Sequence, residues 1–240
     1  MKKLIIICLV MAVVTALIGQ FNSIQASTIL FSDNFNTDGL DTSKWSPLVD
    51  PGCSLEVTGG VLHNYFTGAN APRSSYAQSI DISLPLNWSS VTVAGQWAFP
   101  VPVYGEMVMA VKNADTPTNW DTVGSYVWNG PGFRAQDSAE DLSYTLRSLP
   151  NPLTDFEWTI TPTGWQFKEY RDGSWITLAD YATTNLAGMS KMALMIGGWE
   201  YSYTSLQETN YDNIVVSVIP EPATVCILGF GALSLIRRKK

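Results

Sequence analysis

The sequence predicts an all-β sandwich or barrel between Ser27 and Ile219, and three observations lead there. Helical periodicity is nearly absent from the stretch. Short β-rich runs recur along it instead, parted by clusters of Gly, Pro, Asn and Asp at the spacing of a sandwich. Cys53 is the single cysteine there, so no internal disulfide can form and a packed core must supply the stability. No repeat, low-complexity block or linker interrupts the stretch, which reads as one domain.

Each run has its own local reason. Leu55–Val57 and Val61–Leu62 flank Thr58-Gly59-Gly60, where glycine supplies the positive φ of a tight hairpin. Val91–Phe99 alternates large residues with small or polar ones, as a half-buried strand does. The region from Pro100 to Pro117 is less regular, with Met107–Val111 as a buried strand. Asp155–Ile160 alternates cleanly: Phe156, Trp158 and Ile160 face the core, and Asp155, Glu157 and Thr159 face away. Thr163-Gly164 then turns the chain into Trp165–Tyr170, and Asp172-Gly173 turns it again into Ser174–Leu178. Met192–Ile196 and Tyr211–Val218 close the domain. Pro220, lacking a ladder donor, ends the last strand, so the fold is expected to finish by Ile219.

The two ends of the chain are of another kind. Met1-Lys2-Lys3 is a short basic region, Leu4 to Gly19 is apolar apart from Thr15, and Gln20 to Gln25 is mostly polar. That is the layout of a secretory signal peptide, residues 1–26, with cleavage after Ala26. Ser27 to Ile219 then keeps 8 basic against 20 acidic side chains, a net charge of −12. Such a domain repels phosphate backbones, which excludes nucleic acid as a partner and leaves neutral glycans, cations or basic surfaces.

Residues 220–240 comprise Pro220-Glu221-Pro222, an apolar run from Ala223 to Ile236, and Arg237-Arg238-Lys239-Lys240. This order resembles the PEP-CTERM sorting segment, also known as an ice-binding-protein C-terminal motif. The resemblance implies an exosortase-type membrane protease that recognises Pro-Glu-Pro at the cell envelope. Physical reasoning agrees. The 14-residue run reaches about 21 Å as a helix, short of a hydrocarbon core of roughly 30 Å. An apolar sorting helix of that length enters a bilayer transiently, with Arg237, Arg238 and the lysines on the cytoplasmic side and the acidic domain outside.

Phe31-Ser32-Asp33-Asn34-Phe35-Asn36, Leu40–Trp45, Val57–Leu62 and Tyr211-Asp212-Asn213-Ile214-Val215-Val216 resemble the opening and closing segments of concanavalin A-like lectin/glucanase domains, including laminarinase-like hydrolases. The resemblance implies a jelly roll of two antiparallel sheets whose concave face carries sugars. A galactose-binding-type jelly roll is the rival topology. In the hydrolase relatives an aspartate opening the final strand binds calcium with main-chain carbonyls; Asp212 matches that position, and Asp33 is a neighbour if the first and last strands pair. Calcium, if bound, is structural.

Catalysis finds little support. A glycosidase needs two carboxylates across a cleft, and the laminarinase pattern Glu-x-Asp-x-x-Glu is absent. Glu106, Asp155 and Glu157 are the carboxylates a divergent hydrolase would use. His63 is the single histidine, which rules out a multi-histidine zinc site, and no nucleophile elbow accompanies it. Cys53 is expected to pack quietly. Aromatics offer a binding reading instead: Trp120, Trp128, Trp199, Tyr201 and Tyr203 lie near Gly, Asn and Asp, and Trp199, Tyr201 and Tyr203 alternate along one face. The sequence therefore points to an exported envelope or matrix protein binding polysaccharide without cleaving it. A structural surface protein without a glycan ligand and a divergent glycoside hydrolase are the alternatives.

Overall fold

The computed structural model describes residues 27–66, 73–101, 107–115, 122–126, 132–137, 140–146, 151–182, 186–200 and 207–220. Among these, every regular element is a strand. One antiparallel sheet, sheet A, contains β1 (Thr28–Asp33), β3 (Cys53–Thr58), β4 (Val61–Phe66), β7 (Trp88–Val101), β12 (Thr154–Thr161), β13 (Gly164–Arg171), β14 (Ser174–Ala182) and β16 (Gln207–Pro220). Sheet B contains β2 (Trp45–Val49), β5 (Arg73–Ser79), β6 (Ile82–Ser83), β8 (Met107–Asn113), β9 (Thr122–Tyr126), β10 (Gly132–Asp137), β11 (Glu140–Leu146) and β15 (Lys191–Glu200).

Sheet A runs in the order β14-β13-β12-β7-β16-β4-β3, with β1 added to the far half of β16. Sheet B runs β11-β10-β9-β8-β15-β5-β2, with β6 beside the start of β15. The first strand thus pairs with the last, Asp33 opposite Ile214.

The core lies between the sheets and follows the predicted alternation. Phe156, Trp158 and Ile160 are buried, while Asp155, Glu157 and Thr159 occupy the outer face of β12. Trp97 is fully buried among Phe99, Phe156 and Phe167, with ring centroids 5.1, 5.7 and 5.1 Å away. Its indole N–H donates to Glu169 Oε1 at 3.1 Å, and Arg171 lies 3.5 Å from the other carboxylate oxygen. A buried carboxylate is tolerated in an apolar core only with such partners.

Two of the three predicted turns are confirmed in detail. Gly59 and Gly60 have φ of 63° and 80°, and Asp172 and Gly173 have 52° and 81°. Both are two-residue turns with positive φ at each central position, the hairpin geometry that suits strand twist. The third needs correction. Thr161 pairs with Gly164, so Pro162 and Thr163 form the turn and Gly164 already belongs to β13. Glycine is required there by crowding: a Cβ would collide with the Tyr181 carbonyl of the neighbouring strand. The last ladder also runs one residue beyond expectation, since Pro220 sits opposite Trp88 after a bulge.

Candidate functional site

The two sequence-predicted carboxylates that the structure describes, Asp155 and Glu157, come together on the outer face of sheet A. They line an open depression of about 280 Å³ with Ala94, Gly95, Gln96, Trp175 and Asn213. The strand pairing beneath the hollow is irregular. Between Asp212 and Val215 the ladder of β16 with β7 slips, and Asn213 takes a φ of 52°. The facing Gly95 has no room for a side chain: a Cβ would lie 2.7 Å from Ile214 Cδ1 and 3.1 Å from the Asp212 carbonyl. Gly95 pairs with buried Phe156, so this crowding lies on the core side and lets β7 and the bulge approach closely, while on the outer face the floor is the small Ala94 beside Gln96.

Polar groups cross this floor in sequence. Gln96 Nε2 donates to Asp155 Oδ1 at 2.8 Å, and Asn213 Nδ2 lies 3.4 Å from Gln96 Oε1. The same amide donates to Asp212 Oδ2 at 2.9 Å, and the Asn213 backbone N–H to Asp212 Oδ1 at 2.6 Å. Burial raises the Asp212 pKa, with the Asn213 N–H pulling the other way. Glu157 faces Lys168 at 3.9 Å. At the rim stand Trp175, 48% exposed, and Tyr170, 40% exposed, packed edge to face at 5.5 Å. Large aromatic rings held in the open beside fixed amides and carboxylates form a surface for a ligand with an apolar face and a hydroxyl-rich edge.

The sequence analysis missed Trp175, Tyr170, Gln96 and Asn213. A signal for the first two was present. The Asp172-Gly173 turn fixes Tyr170 opposite Trp175, and Phe167 in the core places Tyr170 on the other face.

The remaining candidates fall elsewhere. Glu106, Trp120, Trp128, Tyr201, Tyr203, Glu221, Pro222, Arg237 and Arg238 lie outside the described residues. Of Trp199, the structure describes only its place on β15 opposite Ser74. Pro220 is the last residue of β16. His63 is an outward strand residue that meets Glu208 Oε1 through Nδ1 at 3.0 Å and stacks on Tyr65. Cys53 is partly buried and forms no disulfide.

Asp33 and Asp212 do not converge. Asp33 is buried: Oδ2 accepts the Trp45 indole N–H at 2.8 Å, Oδ1 accepts the Phe35 N–H at 2.9 Å, and Lys44 approaches to 3.8 Å. Its oxygens tie the chain after β1 to the core. Asp212 lies across the sheet on the outer face, its oxygens turned to Asn213. Calcium requires several oxygens aimed at one point, so this pair does not fit a shared ion. Among the described residues, no three His, Cys, Asp or Glu side chains are grouped to hold a metal.

Comparison with solved structures gives this architecture its class. LamA of Zobellia galactanivorans, in complex with laminaritriose and laminaritetraose, matches with a TM-score of 0.55 at 12% identity, covering 79% of this chain and 98% of its own. The endo-1,3-β-glucanase (laminarinase) catalytic domain of Thermotoga petrophila gives 0.51 at 11%, covering 81% and 98%. A pseudo β-1,3-glucanase of Mycobacterium tuberculosis gives 0.56 at 13%, covering 78% and 98%. The fold is therefore the concanavalin A-like jelly roll of laminarinases and β-glucanases. The particular chain is further defined by its end: residues 218–240 match the PEP-CTERM protein-sorting motif. That motif marks an exported protein with a membrane-anchoring tail before processing, and implies processing by an exosortase, a membrane protease. A search of the curated proteins finds no match to the sequence.

Proposed function

We propose that this exported, sorted protein binds polysaccharide through the outer face of sheet A without cleaving it. The observation that carries the reading is the exposed Trp175–Tyr170 pair beside a depression crossed by Asp155, Gln96 and Asn213. A sugar ring laid on Trp175 would bury apolar C–H groups and present its hydroxyls to the amides and carboxylates. Cleavage would ask more. One carboxyl must be set apart in an apolar pocket as the acid, opposite a second as base or nucleophile. Asp155 and Glu157 instead occupy neighbouring outward positions of one strand, each beside a polar partner.

Pull-down of the protein on a panel of insoluble polysaccharides tests this, with released reducing ends read from the same tubes. Retention without release, lost in Trp175→Ala, is the expected result. Release that disappears in Asp155→Ala or Glu157→Ala would make the chain a hydrolase instead. Calcium and chelator arms test Asp212, with main-chain carbonyls, as a structural ligand. Indifference to every glycan would favour a purely structural surface protein.

A further inference from the structure

The end of the sandwich from which the tail departs has a surface of its own. β7 and β16 are antiparallel, so the start of one lies beside the finish of the other, with Trp88 opposite Pro220. Leu84, Pro85, Leu86, Asn87 and Trp88 share this end with the Pro162 turn and Gly188–Ser190, around a cleft of about 380 Å³. Leu86 is 91% exposed, the most exposed large apolar residue among those described.

That exposure belongs to a loop fixed at both ends. The Trp88 indole is buried and donates to the Met189 carbonyl at 2.8 Å. The Leu84 N–H donates to the Ser190 carbonyl at 2.8 Å, and Ser89 Oγ to the Ile219 carbonyl at 2.8 Å. Asn87, with φ of 61°, completes a turn that leaves Leu86 at the tip. An isolated exposed leucine would need no explanation. One held out on a pinned loop, at the end of the sheet where the strand leading into a membrane-directed segment finishes, does.

Chain reach supplies the partner. Pro220 is both the last rung of β16 and the first residue of Pro-Glu-Pro, so no linker intervenes. The apolar run begins at Ala223. Three extended residues span at most about 11 Å, so this end is held at the bilayer whenever the run is inserted.

We propose that the Leu84–Trp88 loop is a bilayer-contact surface that beds into the lipid interface before the tail is processed. The proposal rests on the sorting tail and is independent of the glycan reading. Leucine and proline side chains on a rigid loop suit the boundary between headgroups and acyl chains, where apolar groups gain by leaving water.

The test uses the full chain in vesicles of phosphatidylethanolamine and phosphatidylglycerol that carry a photoreactive acyl chain. Lipid-labelled positions are mapped by mass spectrometry. Labelling is expected in residues 84–88 and in the tail, with the hairpin at residues 171–176 unlabelled. Leu86→Glu should lower labelling of 84–88 several-fold and leave tail labelling unchanged. Labelling of 84–88 no greater than that of the hairpin, whether or not the tail is labelled, would overturn the proposal. So would an unchanged signal in Leu86→Glu.

Discussion

Replacing Asp33 by alanine separates its two possible roles, ion ligand and internal tether. In the structure the carboxylate takes the indole N–H of Trp45 at 2.8 Å and the backbone N–H of Phe35 at 2.9 Å. Both residues are almost fully buried, at 1% and 2% exposure. Alanine strands two donors where water reaches poorly, at about 1–3 kcal/mol each. Some relaxation around Lys44, which already reaches the surface, reduces the sum to about 3 kcal/mol. For a domain of this size that corresponds to a loss of roughly 6–12 °C in the unfolding midpoint. Asp33→Asn keeps an acceptor for one donor and should lose about half as much. Thermal unfolding followed by the near-ultraviolet signal of the buried tryptophans, with calcium and with chelator, reads both variants. A loss below about 1 kcal/mol would refute the tether. So would a loss seen only with calcium present and copied by chelator in the unaltered protein.

Other outcomes follow from the same packing. Gly197 has φ of 143°, its carbonyl accepts the Tyr211 hydroxyl at 3.1 Å, and a Cβ there would strike the Ser75 carbonyl; Gly197→Ala should cost more than about 3 kcal/mol in urea unfolding. Glu169→Ala removes the partner of Trp97 and Arg171 inside the core and should cost about 3–5 kcal/mol by the same measurement. Two aspartates should give opposite pH signatures. Hydrogen bonds from the Ser190 N–H and hydroxyl hold the Asp115 carboxyl below its ordinary range, so its stabilisation is present at neutral pH and lost as pH falls through the folded pKa. Asp115→Asn should therefore lower the midpoint at neutral pH, with the difference closing on acidification. Burial raises Asp212, so its charge costs stability at neutral pH and that cost is relieved as pH falls through the folded pKa. Asp212→Asn should raise the neutral-pH midpoint, and the gain should shrink in acid.

Local chemistry made part of this molecule legible in its sequence. Asp172-Gly173 and Gly59-Gly60 carry their turn geometry in residue type, and Phe156, Trp158 and Ile160 announce a buried face by period two. Gly164 was misread because a glycine beside a threonine looks like a turn. Its need is set by Tyr181 on the next strand, which no local window contains. The bonding of Asp33 was hidden for a similar reason: its partner Trp45 lies across a loop, beyond any local window. The depression depends on Ala94, Asp155 and Asn213 meeting across three strands, a pairing between distant parts of the chain. Trp175 was within reach, because its partner across the hairpin follows from the turn and the turn was recognised.

The position of β16 has a mechanical consequence. This strand is flanked on one side by β7 along most of its length and on the other by β4 and then β1. Tension applied through the tail enters at Pro220 and runs along the strand axis. The hydrogen bonds to both neighbours are then loaded in shear and share the force, instead of parting one at a time as they would on an edge strand peeled sideways. An exported protein held by its tail while a load acts on the domain would be held at the strand best placed to bear that load.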